Sequence, residues 1–189
     1  MPPTSHRNRP PSAAVERQAL KGAISMDILE RLLRHDVWTT QNLLNRCREL
    51  TPEQLNQSFD IGHQTLLETW EHLIGNVEVW TDLMNGDPIT QHSTWPTLGE
   101  LTERYEVAAS RFGHLARRLA AENRLDELWT DILDNPPAQK TYGGAIAHVL
   151  THNHAHRTEI LHILSRFGLR NLIEGDVLGW EQQARAPKP

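Results

Sequence analysis

The sequence predicts an all-α fold, a four-helix bundle, and three observations carry that expectation. Four stretches repeat apolar residues at spacings of three and four, the period of one helical face. Capping signals and Gly or Pro breaks separate them. The loops between them are short or moderate, as in bundles whose neighbouring helices run antiparallel. At 189 residues and 21.6 kDa the chain fits one domain with a sizeable core.

Residues 1–24 are expected to be a disordered tail, because four prolines among the first eleven residues cannot join a packed helix. The first helix is placed from Ser25 to Leu50, stepping through Met26, Leu29, Leu32, Leu33, Val37, Leu43, Leu44 and Cys47. Thr51-Pro52-Glu53-Gln54 then carries a helix-start signal that leads only into a short turn, closed by Asp60-Ile61-Gly62. A second long helix is placed from His63 to Met84 on the stripe Leu66, Trp70, Leu73, Val77, Trp80, Met84, with both tryptophans read as core. Its flank carries His72 beside Thr65, Thr69 and Asn76, the polar edge of a half-buried cleft.

Asn85-Gly86-Asp87-Pro88 ends that helix. Thr97-Leu98-Gly99-Glu100 is a capping box opening a third helix to about Glu122. Arg104, Arg111, Arg117 and Arg118 share the face opposite its apolar side and read as solvated surface. Leu128 to Leu133 reads as a short strand or a packed loop before the break at Asn135-Pro136-Pro137. The fourth helix runs from about Tyr142 to Phe167 with Gly168 as its stop. A short docking segment between Leu172 and Gln183 is expected to pack through Leu172, Val177 and Trp180. The folded domain is placed at residues 25–182, with 183–189 a C-terminal tail.

Composition excludes several classes. A net charge of −5 gives no electrostatic reason to bind nucleic acid. No apolar run approaches a bilayer-spanning length, so no membrane partner is expected. The one cysteine, Cys47, excludes an internal disulfide framework and cysteine-based zinc sites, and suits a reducing cytoplasm. It falls on an apolar stripe and reads as a buried small hydrophobe.

The chemistry collects in the fourth helix, which holds five of the 11 histidines. On a helical wheel Ala145, Val149, Ile160, Ile163, Leu164 and Phe167 make one apolar arc. His156 falls inside the arc and His152 on its edge; His148 lies just outside, and His154 and His162 point away. Positions four apart are neighbours on one face, so His152 and His156 can share one metal ion. The alternative is a pair of hydrogen-bonded cleft histidines. His72 is the best candidate for a third ligand. Three protein ligands with one open position is the pattern of catalytic zinc, whereas closed structural sites use four.

Two other metal chemistries fit less well. His148-Val149-Leu150-Thr151-His152 has the frame of a zincin protease but lacks the glutamate after the first histidine. Glu159-Ile160-Leu161-His162 matches half of a di-iron carboxylate site, and no second such motif exists.

Two motifs then carry a family resemblance. The stretch from Thr65 through Glu71-His72 to Trp80 resembles the second-helix motif of the DinB/YfiT-like metalloprotein superfamily. The stretch His148-Val-Leu-Thr-His152-Asn-His154-Ala-His156-Arg157-Thr-Glu159 is similar to that family's fourth-helix motif. Arg34-His35-Asp36-Val37-Trp38 through Gln54, and Glu174 through Trp180, resemble its first helix and its C-terminal docking piece. The resemblance covers residues 25 to 182. It implies a four-helix bundle, a divalent ion such as zinc or nickel on His72, His152 and His156, and in many members a homodimer. Some relatives are thiol S-transferases using low-molecular-weight thiols; others are maleylpyruvate isomerases or hydrolases. The expectation is thus a metal-dependent transferase or hydrolase acting on a small molecule, with a low-molecular-weight thiol as one candidate. The rival is a non-enzymatic metal-binding or stress-response protein with a structural ion. Asn153 and Glu159 are candidates to orient the imidazoles and Arg157 to hold an anionic substrate group, but ordinary helix-surface contacts for Glu159 and Arg157 are the stronger expectation.

Overall fold

A computed structural model describes residues 26–92 and 95–186. The expected tail at 1–24 lies outside the described residues, as does the last part of the C-terminal tail. Among the described residues the protein is mostly helical, with six helices and one two-stranded sheet.

Local chemistry sets each start. Helix α1, Ile28–Cys47, begins at Asp27, whose carboxylate accepts the Glu30 N–H at 2.8 Å. The short α2, Pro52–Leu55, has the full capping box of Thr51 and Gln54. Helix α3, Leu66–Asn85, starts at the first residue of its apolar stripe, three residues after the expected start at His63. Thr65 and Glu68 form a second capping box there, which leaves His63 in the preceding turn. Gly86, with φ +72°, ends α3 in the left-handed region that glycine tolerates. Helix α4, Leu98–Ala121, opens on the expected box of Thr97 and Glu100. Helix α5, Tyr142–Arg166, carries the histidines and stops just before Gly168. Helix α6, Val177–Arg185, is capped by Asp176 and buries Trp180, so helix continues into the expected C-terminal tail.

One stretch departs from the all-α expectation. Strands β1, Leu128–Asp131, and β2, Ala138–Thr141, form an antiparallel hairpin pairing Leu128 with Thr141 and Asp131 with Ala138. Alternation sends Trp129 and Asp131 inward. Trp129 meets Trp80 edge-to-face at 6.0 Å, and Lys140 pairs with Asp131 while lying 5.0 Å from the Trp80 ring. Trp80 is therefore half-buried under the hairpin, whereas Trp70 is fully buried as core.

Helix α3 packs on α4 and α5, and α1 packs on α5, α4 and α6. The interior has two apolar clusters. One gathers Leu33, Val77, Phe112, Trp129 and Val149; the other gathers Leu43, Trp70, Leu101, Ile160 and Ile163. Buried polar groups meet between helices at an intermediate level: Asp36 and Thr40 of α1, Tyr105 of α4, Asn153 and Arg157 of α5. Arg157 Nη1 pairs with Asp36 and donates to Thr40 Oγ1 at 3.2 Å. Asn153 donates to both Asp36 oxygens at 3.2 and 3.3 Å, and the Tyr105 hydroxyl donates to Asp36 Oδ2 at 3.1 Å. Every one of these bonds ends on α1, and those from Asn153 and Arg157 fix the rotation of α5 about its axis. That rotation aims the histidines.

The arginine face of α4 is not free surface. Arg104 is largely buried and clamps Glu71 at 2.7 Å and Glu78 at 2.7 Å, while Arg111 reaches Asp82 and Arg117 reaches Glu30. These guanidiniums tie α4 to α3 and α1 across the groove between them. Charge periodicity marks such a face without showing what lies opposite.

Candidate metal centre

Three imidazole nitrogens converge between α3 and α5. His152 Nε2 lies 3.1 Å from His72 Nε2 and 3.1 Å from His156 Nε2. The ring centroids of the trio are 4.4–5.0 Å apart. The four-residue spacing supplies the first pair, as the wheel requires. Helix α3 supplies His72 from the flank of its apolar stripe. The structure therefore brings together the three histidines singled out in the sequence.

The trio cannot be satisfied by its own hydrogen bonds. Glu159 Oε2 lies 2.7 Å from His156 Nδ1, and a carboxylate only accepts, so Nδ1 carries the proton there. In the neutral ring His156 Nε2 then presents a lone pair. His152 Nε2 has two nitrogen neighbours at equal distance, and one N–H cannot serve both. A cation at the centre resolves that conflict. For Zn–N bonds of 2.0–2.1 Å, tetrahedral ligands lie about 3.3 Å apart, close to the observed spacing. Imidazole donors suit zinc, nickel, copper and iron. The cluster is compatible with metal binding.

Burial, reinforced by the neighbouring imidazoles, keeps His72 and His152 neutral by pushing them down from 6.5 to about 4. Both lone pairs therefore stay available at neutral pH. Among the described residues His152 Nδ1 is buried without a hydrogen-bond partner, and the neighbouring rings pack against this imidazole. A stability consequence follows. Between pH 6.5 and 4 the unfolded chain takes up protons on these two rings while the folded protein does not, so falling pH favours unfolding. Urea melts of metal-free protein are expected to show lower stability at pH 5 than at pH 7.5. The His72→Ala/His152→Ala double variant should lose most of that difference.

Other expectations are redistributed. Glu159 does orient a histidine, the carboxylate–imidazole pairing typical behind a metal ligand. Asn153 and Arg157 do not face the cluster. They lie on the side of α5 turned toward α1, where Asp36 binds both. Arg157 is 2% exposed and already paired, so it is not placed to meet a substrate at the histidines. His148, His154 and His162 are exposed. Cys47 is fully buried, receives the Trp70 Nε1–H at 3.3 Å, and burial pushes its thiol up to about 12, so no thiolate nucleophile exists there.

One neighbour was missed. His63, in the turn before α3, stacks on His72 with ring centroids 3.8 Å apart, and nitrogens of His63, His72 and His156 lie within 4.8 Å of one another. The Thr65-x-x-Glu68 capping signal could have shown that His63 precedes the helix. Nothing in the pattern tells which way the turn folds.

A groove of about 430 Å³ begins at His72 and continues past Gly75, Asn76, Glu78 and His92 to Arg104. Asn76 Nδ2 is buried there without a partner, and a Cβ at Gly75 would meet nothing within 4 Å. The exposed lining of the groove is more apolar than polar, and Asn76 Nδ2 itself is closed off from solvent. No helix among the described residues is long and apolar enough to cross a membrane.

Comparison with known proteins bears on the same helices. The family model of the DinB superfamily matches residues 35–160, more than half of the chain. The match runs from His35 through the histidine cluster to Ile160. No curated protein matches the chain.

Proposed function

The chain belongs to the DinB superfamily, and on that premise we propose that it is a metal-dependent enzyme. Its four long helices form a four-helix bundle, within a domain spanning residues 25–182, that holds one divalent ion on His72, His152 and His156. Zinc, nickel or a similar ion fits the donor set. The substrate is a small molecule, and the reaction a thiol transfer or a hydrolysis in the cytoplasm. The observation that carries the reading is the convergence of the His72 and His156 Nε2 atoms, each 3.1 Å from His152 Nε2, beside an open groove.

A divalent ion with three protein ligands supplies Lewis acidity and lowers the pKa of a water or thiol at its remaining position. The chain's own residues do the rest. Glu159 keeps the proton of His156 on Nδ1, so that Nε2 faces the centre. The groove from His72 to Arg104 receives the organic part of the substrate. Glu71 and Glu78 hold Arg104 in place, which keeps the far wall rigid.

The test is a transfer screen on metal-loaded protein, using glutathione, mycothiol and bacillithiol with an electrophilic acceptor, together with a panel of hydrolysable esters and amides. Turnover is expected with loaded wild type and is lost in His152→Ala. Gly75→Ala, whose added Cβ meets nothing within 4 Å, narrows the groove and is expected to raise KM while metal content stays unchanged. Metal-independent turnover, or none with any substrate, would favour the rival reading of a metal-binding protein with a structural ion.

A further inference from the structure

The turn before α3 brings a fourth imidazole to the cluster. His63 is exposed, yet its ring lies nearly parallel to that of His72, 26° off, and 5.3 Å from that of His156. Little apolar burial holds an exposed imidazole in such a place. The backbone does. Gly62 and Gln64 on either side have φ of +63° and +74°, a left-handed conformation that is uncommon for glutamine. The His63 N–H donates to Thr69 Oγ1 at 3.2 Å. A Cβ at Gly62 would come within 2.9 Å of Thr69 Oγ1 and 3.1 Å of Glu159 Oε2. The turn is thus pressed against α3 and against the carboxylate that orients His156.

We propose that His63 is a displaceable fourth ligand for the ion held by His72, His152 and His156, an inference that rests on the three-histidine reading. A ring stacked face to face on His72 is not ligating, because an imidazole binds a metal through a nitrogen lone pair in the ring plane. Its nitrogen lies within 4.8 Å of those of His72 and His156, against about 3.3 Å for neighbouring tetrahedral ligands. A shift of about 1–2 Å in a short turn closes that gap. Swung in, His63 completes a closed site of four protein nitrogens. Stacked on His72, it leaves the fourth position to a water or to a donor atom of the substrate. Four protein ligands mark structural zinc, and three plus an open position mark catalytic zinc. His63 switches one site between the two.

The alternative, a ring that merely shields His72, leaves the ion's ligand count unchanged, and that difference is measurable without turnover. Cobalt(II)-loaded wild type and His63→Ala are compared by X-ray absorption and visible spectroscopy, then titrated with azide. Among the described residues the exposed His63 side chain makes no hydrogen bond, so the variant should fold. Wild type is expected to show four imidazoles and His63→Ala three. Azide should bind the variant about tenfold more tightly, the penalty that a mostly closed resting state imposes on the wild type. Equal imidazole counts and equal azide affinities would overturn the proposal while leaving the three-histidine site intact. Cobalt that fails to bind wild type, or that still binds His152→Ala unchanged, would overturn the three-histidine site and this proposal with it.

Discussion

Replacing Asp36 with alanine is expected to destabilise the protein by about 3–5 kcal/mol, the cost of leaving one member of a buried ion pair alone. Asp36 and Arg157 are both almost wholly buried, and Asp36 also receives bonds from Asn153 and Tyr105. Alanine would strand the guanidinium and leave Asn153 Nδ2 unsatisfied, while the Tyr105 hydroxyl keeps the residue-36 carbonyl at 3.3 Å. A cavity of about 420 Å³ is lined by both residues, and water entering from it sets the lower end of the range. Urea denaturation measures the loss. The Asp36→Leu/Arg157→Met double variant, which removes both charges, should recover most of it. A stability for Asp36→Ala within about 1 kcal/mol of wild type would show that the pair does not organise the core.

Loading with metal is expected to stabilise the native state by about 4 kcal/mol at a thousandfold excess over Kd, because the three nitrogens converge only in the folded chain. At this size that corresponds to a rise in Tm on the order of 10 °C. His152→Ala should abolish the rise, since His152 is the member adjacent to both others. His154→Ala and His162→Ala should keep it, because these exposed side chains make no contact with the trio among the described residues, whereas the His148 ring lies 5.5 Å from that of His152. Differential scanning calorimetry of stripped and loaded protein gives the comparison. A comparable rise in His152→Ala would place the ion somewhere else.

Helical periodicity and caps made most of the fold legible, because each is a local property of the chain. The box at Thr97 and Glu100 and the stop at Gly168 lie where the residues place them. The hairpin was only half visible: Leu128 to Asp131 has a strand-like pattern, but Ala138-Gln139-Lys140-Thr141 has no apolar alternation to mark its partner. His152 and His156 were legible from spacing, and His72 from its place beside an apolar stripe. Arg157 was misread because a wheel gives an angle and no partner. Its counter-ion Asp36 is 121 residues away in sequence. His63 was missed for the same kind of reason: its position depends on two left-handed residues and a docked turn.

The central claim is that one divalent ion sits on His72, His152 and His156. Elemental mass spectrometry on the purified wild-type protein and on His72→Ala tests it most directly, since His72 alone comes from α3. One ion per chain is expected in wild type, and little or none in His72→Ala under the same dialysis. Stoichiometric metal that survives His72→Ala unchanged would contradict the claim.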